Sequence, residues 1–159
     1  AAVALITDEK RAQDLGLKPK SRIVDFYFAG IDPTDQLLIG PAVAIPMLLK
    51  RNNLKIDDID LFEIHEAFAA QVLSCTKSIA SKDFCNKYFG DSQGFGEIPK
   101  DKLNVNGGAI AIGHPFGATG SRLVTTLSNE LIRRDKSLGV IGICAAGGMA
   151  GAMLIERMK

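Results

Sequence analysis

From Pro41 to Arg157 the chain alternates segments of helical and strand-like periodicity, and most strand-like segments run into a short glycine-rich or reactive stretch. Such alternation points to a layered α/β fold, because strands must pair in a sheet and each helix must bury an apolar stripe against it. Strand patterns fall at Arg22 to Ala29, Asp60 to Ile64, Leu103 to Asn106, Gly139 to Cys144 and Gly151 to Arg157. The last two flank Ala145-Ala146-Gly147-Gly148, short enough for a tight antiparallel return. Helices are expected at Pro41 to Asn52, where Pro46 dents the first turns, at about Ala67 to Ser81, and at Gly120 to Arg134 with Leu123, Leu127 and Leu131 on one stripe. The expected architecture is a mixed five-stranded sheet with helices on both faces.

Upstream, Ala1 to Ile6 reads as a buried strand that begins abruptly and without an initiator Met, so the chain is expected to be part of a longer protein. Thr7 to Lys10 caps a short helix reaching about Leu15, and Gly30 to Asp35 reads as a turn and linker. The expected division is therefore a remnant of a preceding half at 1–30 and a more complete domain at 31–159. Lys82 to Lys102 has no period and reads as an excursion of surface loop or short helices. Ala109 to Gly117 reads as a turn-rich apolar loop.

Composition matters mainly for what it excludes. Nineteen basic against eighteen acidic residues leave a net charge of +1, no field that would select nucleic acid. Three cysteines, Cys75, Cys85 and Cys144, make neither a disulfide framework nor a CxxC metal knuckle, and a reducing compartment is the simpler reading. No apolar run reaches the roughly 18 residues of a membrane span. At 47% hydrophobic and 23% charged, the chain has material for one globular core.

Four segments carry candidate chemistry at expected strand ends, where ligand sites of α/β sheets tend to lie. They are Glu63 to Ala69, Asn106 to Ala109, Gly113 to Gly120 and Cys144 to Gly148, and both histidines of the chain fall within them. A zinc reading of His65 fails because the position four residues on is Ala69 rather than a second histidine. By itself His65 reads either as a satisfied histidine at a helix start or as a donor to an oxyanion. His114, between Gly113 and Pro115, is either an ordinary loop residue or an imidazole held in one direction to activate a thiol or stabilise an enolate. The Gly113 to Gly120 run lacks the lysine of a phosphate-binding loop, although amides opening the following helix could face an anion or a thioester oxygen. Cys144 has only alanines and glycines after it, so it reads as an inert core residue or as a thiol of lowered pKa acting as acid and base. Cys75 and Cys85 read as structural.

Taken together, His65-Glu66-Ala67-Phe68-Ala69, the run from Asn106 to Gly120 and Cys144 to Gly148, in this order and at these separations, resemble the C-terminal half of the thiolase family across nearly the whole chain. Most of that family carries asparagine where this chain has His65. Histidine there, with Asp32 to Leu38, Gly40-Pro41 and the excursion around Phe84 to Pro99, is similar to the long-chain 3-ketoacyl-CoA type, the β-subunit of the mitochondrial trifunctional enzyme and its bacterial counterpart. The resemblance implies an acyltransferase that cleaves 3-ketoacyl-CoA with coenzyme A in fatty acid β-oxidation, with coenzyme A as co-substrate and no other cofactor or metal. It implies a nucleophilic cysteine in the preceding half, Cys144 as proton carrier, His114 as activator of that cysteine, and His65 completing an oxyanion site. It further implies the Ala146 amide at a second oxyanion, Glu66 in a positioning role, and Ala67 and Phe68 along the pantetheine channel. Expected partners are acyl-CoA and coenzyme A, the N-terminal half, a second copy in a homodimer and a hydratase/dehydrogenase α-subunit, in mitochondria. The competing reading is a non-catalytic acyl-CoA or lipid-binding member, or a scaffold, of the same fold.

Overall fold

The computed structural model describes residues 1–158. A short helix α1 (Glu9–Asp14), capped by the Asp8 carboxylate, precedes β1 (Ser21–Gly30) and the single turn α2 (Pro33–Gln36). Helix α3 (Pro41–Arg51) leads to β2 (Leu61–Ile64), and α4 (Ala69–Ala80) is followed directly by α5 (Lys82–Phe89). The short α6 (Ala109–Ile112) and long α7 (Phe116–Arg133) precede the hairpin of β3 (Leu138–Ala145) and β4 (Met149–Arg157).

The strands form one mixed sheet in the order β1-β4-β3-β2, with β2 parallel to β3 and the other pairs antiparallel. Helices cover both faces, as the alternation requires. On one face Ile45, Leu48 and Leu49 of α3 and Val72, Cys75 and Ile79 of α4 pack on Phe62, Ile64, Val140 and Leu154. On the other, Leu123, Leu127 and Leu131 of α7 pack on Leu61, Ile141 and Ile155. The two-residue period of β2 thus divides its side chains between the two cores: Phe62 and Ile64 face α3, Leu61 faces α7.

The sheet has four strands where five were expected. Leu103 makes one bridge to Phe62, but Asn104 then turns into the left-handed region at φ 44, which ends any ladder after a single residue. Ala1 to Ile6 also departs from expectation: it pairs with no strand, and Val3, Leu5 and Ile6 are exposed. Residues 21–30, grouped in the sequence with the remnant, form the edge of the same sheet, pairing from Ser21↔Arg157 to Gly30↔Met149 with a register shift between Ile23 and Asp25. The excursion is built as anticipated from α5 and loop, with Phe84 and Phe95 packed on the α3 side of the core. Helix α7 begins at Phe116 rather than Gly120 because the Pro115 carbonyl accepts from the amides of Ala118 and Thr119.

Candidate active site

All the candidate residues lie at one end of the sheet, where parallel β2 and β3 both terminate. The ladder runs past β2 as the His65 amide donates to Gly142 O at 2.8 Å, so His65 keeps an extended strand's direction and its ring is buried. The His114 ring stacks obliquely on it, with centroids 4.1 Å apart at 42°. His114 stands on the turn between α6 and α7, where Gly113 takes φ 86, a conformation costly for any residue with a Cβ. Its Nδ1 lies 2.7 Å from Thr119 Oγ1, whose hydroxyl also reaches Pro115 O at 3.3 Å. A hydroxyl has one proton. If that proton goes to Pro115 O, the oxygen accepts from His114 Nδ1–H, which leaves a lone pair on Nε2.

Glu66 is fixed by two segments far away in sequence. Its Oε1 accepts from Asn104 Nδ2 at 2.9 Å and its Oε2 from the Ile110 amide at 3.1 Å. Asn104 in turn accepts from the Ile64 amide and donates to the Ile64 carbonyl, so its side chain continues the sheet edge where its backbone has turned away. Gly108 passes so close that a Cβ there would lie 2.8 Å from the Glu66 carboxyl. This network holds the loop carrying α6 and His114 against the end of β2.

Cys144 sits opposite Ala150 near the end of β3 and is buried. Burial pushes its thiol above the ordinary cysteine range, which corrects the expectation of a lowered value: no cation or imidazole offsets the desolvation. Such a thiol holds its proton. Among the described residues no hydrogen bond joins Cys144 to either histidine; backbone pairing of β2 with β3 places His65 and Cys144 on neighbouring strands. Ala146 is exposed in the turn that follows, where Gly147 and Gly148 both have positive φ and Gly148 O accepts from the Ile31 amide. Ala67 donates to Gln71 Oε1, and Phe68, at the start of α4, is 63% exposed. Phe116, also exposed, lies against the His114 ring with centroids 4.8 Å apart. Among the described residues no cluster of three or more His, Cys, Asp or Glu could hold a metal.

Desolvation first, then the nearby His114 and Arg122, bring the His65 pKa down to about 4, so its ring is neutral at physiological pH. Residues that sequence reading did not single out complete the arrangement: Asn104, Thr119, and the buried Glu63 with the partly buried Arg122, 3.8 Å apart. Asn104 reads in the sequence as part of the strand from Leu103 to Asn106, and its tendency to turn is the one signal that could have set it apart. Nothing in the sequence marks the pairing of Glu63 with Arg122, because 58 intervening positions separate them.

The mixed sheet is covered on both faces and ends in two histidines and a buried thiol, and residues 17–157 match the thiolase C-terminal domain. The chain belongs to that family. It is 46% identical over 156 residues to the 3-ketoacyl-CoA thiolase of Shewanella amazonensis, covering 98% of this chain and 36% of that protein. The 3-ketoacyl-CoA thiolase of Serratia proteamaculans is 45% identical over the same span. The crystal structure of human mitochondrial 3-ketoacyl-CoA thiolase in complex with CoA superposes with a TM-score of 0.80 at 36% identity, covering 94% of this chain and 33% of that one. The chain thus spans about a third of the length of the curated relatives it matches. No helix among the described residues is long and apolar enough to cross a membrane.

Proposed function

We propose that this chain is the C-terminal catalytic half of an enzyme that cleaves 3-ketoacyl-CoA with coenzyme A, giving acetyl-CoA and a shortened acyl-CoA in fatty acid β-oxidation. The observation that carries it is the contact of His65 and His114 beside the strand bearing Cys144. In this reading a cysteine thiolate from the N-terminal half attacks the 3-keto carbon. His114 Nε2, the lone-pair nitrogen when Thr119 accepts from Nδ1–H, takes that thiol's proton. The C2–C3 bond breaks, its electron pair becomes the acetyl-CoA enolate, and Cys144 protonates C2. The Cys144 thiolate then takes the proton of incoming coenzyme A, whose sulfur attacks the acyl thioester and releases the nucleophile.

His65 and His114 face the enolate or thioester oxygen, and the Ala146 amide faces the tetrahedral oxyanion at the nucleophile. Glu66 positions the loop, and Ala67 and Phe68 line the pantetheine path. A raised thiol pKa suits the first task of Cys144, which must hold a proton until an enolate forms. Coenzyme A is a co-substrate and no further cofactor is invoked. A homodimer, a hydratase/dehydrogenase α-subunit and a mitochondrial location belong to the same proposal, which rests there on His65 and the excursion.

The test is coenzyme-A-dependent cleavage of a long-chain 3-ketoacyl-CoA by the full-length protein, with Cys144→Ala alongside. Turnover in the parent and its loss in the variant is expected. Wild-type-like thiolysis by Cys144→Ala would remove Cys144 from the mechanism, and an inactive parent that still binds acyl-CoA would favour a binding-only member.

A further inference from the structure

Behind His65 lies a charged pair for which the proposed reaction has no role. Glu63 is a buried carboxylate in β2, its side chain 2% exposed, facing the largely buried Arg122 of α7. Leu61, Glu63 and His65 are alternate residues of one extended segment, and Leu61 packs on Leu123, the neighbour of Arg122, so the three point toward α7. Three polar atoms in this region are sealed from solvent and have no hydrogen-bond partner: Glu63 Oε2, Arg122 Nη2 and His65 Nδ1. Orphaned groups of this kind are rare in folded proteins, and three together call for a common explanation.

Their chemistry is complementary. A guanidinium nitrogen can only donate and a neutral imidazole has one N–H and one lone pair; burial raises the Glu63 pKa to about 7 against the pull of Arg122, and above that pH its carboxylate only accepts. In one arrangement that pairs all three, the guanidinium donates to Glu63 with one arm and to the His65 Nδ1 lone pair with the other, directly after a small rotation or through one bridging water. The proton of His65 then resides on Nε2. The converse, with Nδ1–H donating to a Glu63 oxygen while Arg122 donates to the same carboxylate, would turn the lone pair of Nε2 toward the site, where it could not donate to an oxyanion. Burial, with the nearby His114 and Arg122, works against a second proton on this ring, so it stays neutral with a single N–H to place.

We infer that Arg122, anchored by Glu63, is a positioning residue that fixes His65 in its Nε2–H tautomer, so that the ring donates to the oxygen on which enolate charge develops. This rests on the proposed thiolysis for its consequence, and the tautomer can be read without it. In full-length protein labelled with ¹⁵N-histidine, two-bond ¹H–¹⁵N correlation spectra distinguish the two tautomers, with His65 assigned by its loss in His65→Asn.

The wild type is expected to carry the proton on Nε2. Arg122→Met should move population to Nδ1–H and lower kcat roughly 10- to 100-fold with KM changed less than about twofold, as for loss of one oriented donor. Arg122→Lys, which retains a charge and a donor, should recover the Nε2–H form and part of the rate. Wild-type protein with its proton on Nδ1, or Arg122→Met with unchanged tautomer and kcat, would overturn the inference. Should Arg122→Met not fold, the wild-type spectrum and Arg122→Lys decide it. A parent without thiolysis would count against the proposed function, while the spectra would still decide the role of Arg122.

Discussion

The carboxylate of Glu66 reaches two donors from different segments, Asn104 and Ile110, with Gly108 lying against it. Gly108→Ala places a methyl where that carboxyl stands, and so should break at least one of the two bonds. A loss of roughly 1–3 kcal/mol in stability is expected from displacing a paired charge, with a fall in kcat as His114 shifts; urea titration and steady-state kinetics of the full-length protein measure both. Glu130 makes a second residue-scale case. Burial would raise its pKa, but hydrogen bonds from Asn106, Arg134 and Arg133 outweigh this and bring it down to about 2. A carboxylate depressed in the folded state stabilises it above the ordinary value of 4.5, and that contribution is lost as pH falls from 4.5 toward 2. Glu130→Gln should therefore cost roughly 1–3 kcal/mol at pH 7 and progressively less below pH 4.5. An equal deficit at pH 7 and pH 3 in urea titrations would remove the carboxylate's charge from the explanation.

At the scale of elements, α7 is the piece that holds β2 and β3 from one side, and its grip centres on Leu127. Gly139 of β3 lies beneath it: a Cβ there would meet Leu127 Cδ2 at 2.7 Å. Leu127→Ala should cost about 2–5 kcal/mol by opening a cavity, and Gly139→Ala about 1–3 kcal/mol by overpacking. Together they should cost less than the sum by about 1 kcal/mol or more, because the new methyl fills part of the space the leucine leaves. Additive losses in chemical denaturation would mean the helix relaxes away instead. Because β2 carries His65 and α7 carries Arg122 and Thr119, motion between these two elements would also disturb the histidine pair.

For the whole molecule, the informative feature is the exposed apolar surface. Ile23, Val24, Phe26 and Phe28 of β1 are 41%, 39%, 53% and 76% exposed, and Ile110, Ile112 and Phe116 stand open beside the histidines. Contiguous apolar surface of this kind marks an interface. The chain produced by itself should therefore bind a hydrophobic dye and associate further as its concentration rises, while the full-length protein should bind little dye and stop at the proposed homodimer; sedimentation velocity and dye fluorescence would show it. On the proposed mechanism it should also lack thiolysis, since Cys75 and Cys85 are buried and Cys144 is the one assigned to proton transfer. Detectable turnover by these 159 residues would overturn that assignment of roles.

The sequence by itself determined the layered α/β class, the helices of both faces, the terminal hairpin and the segments bearing His65, His114 and Cys144, because each depends on local periodicity or on a contiguous motif. It also marked the family, whose motifs are contiguous runs. Tertiary structure alone decided the rest. Asn104 ends a promising strand by turning left-handed, and its side chain then ties Ile64 to Glu66, which no window of sequence contains. Ala1 to Ile6 has the composition of a strand, yet strands require a partner edge, and none in the sheet receives it. The upward shift of the Cys144 thiol and the confinement of Glu63 with Arg122 are desolvation effects, set by what surrounds a group in space and not by its neighbours along the chain.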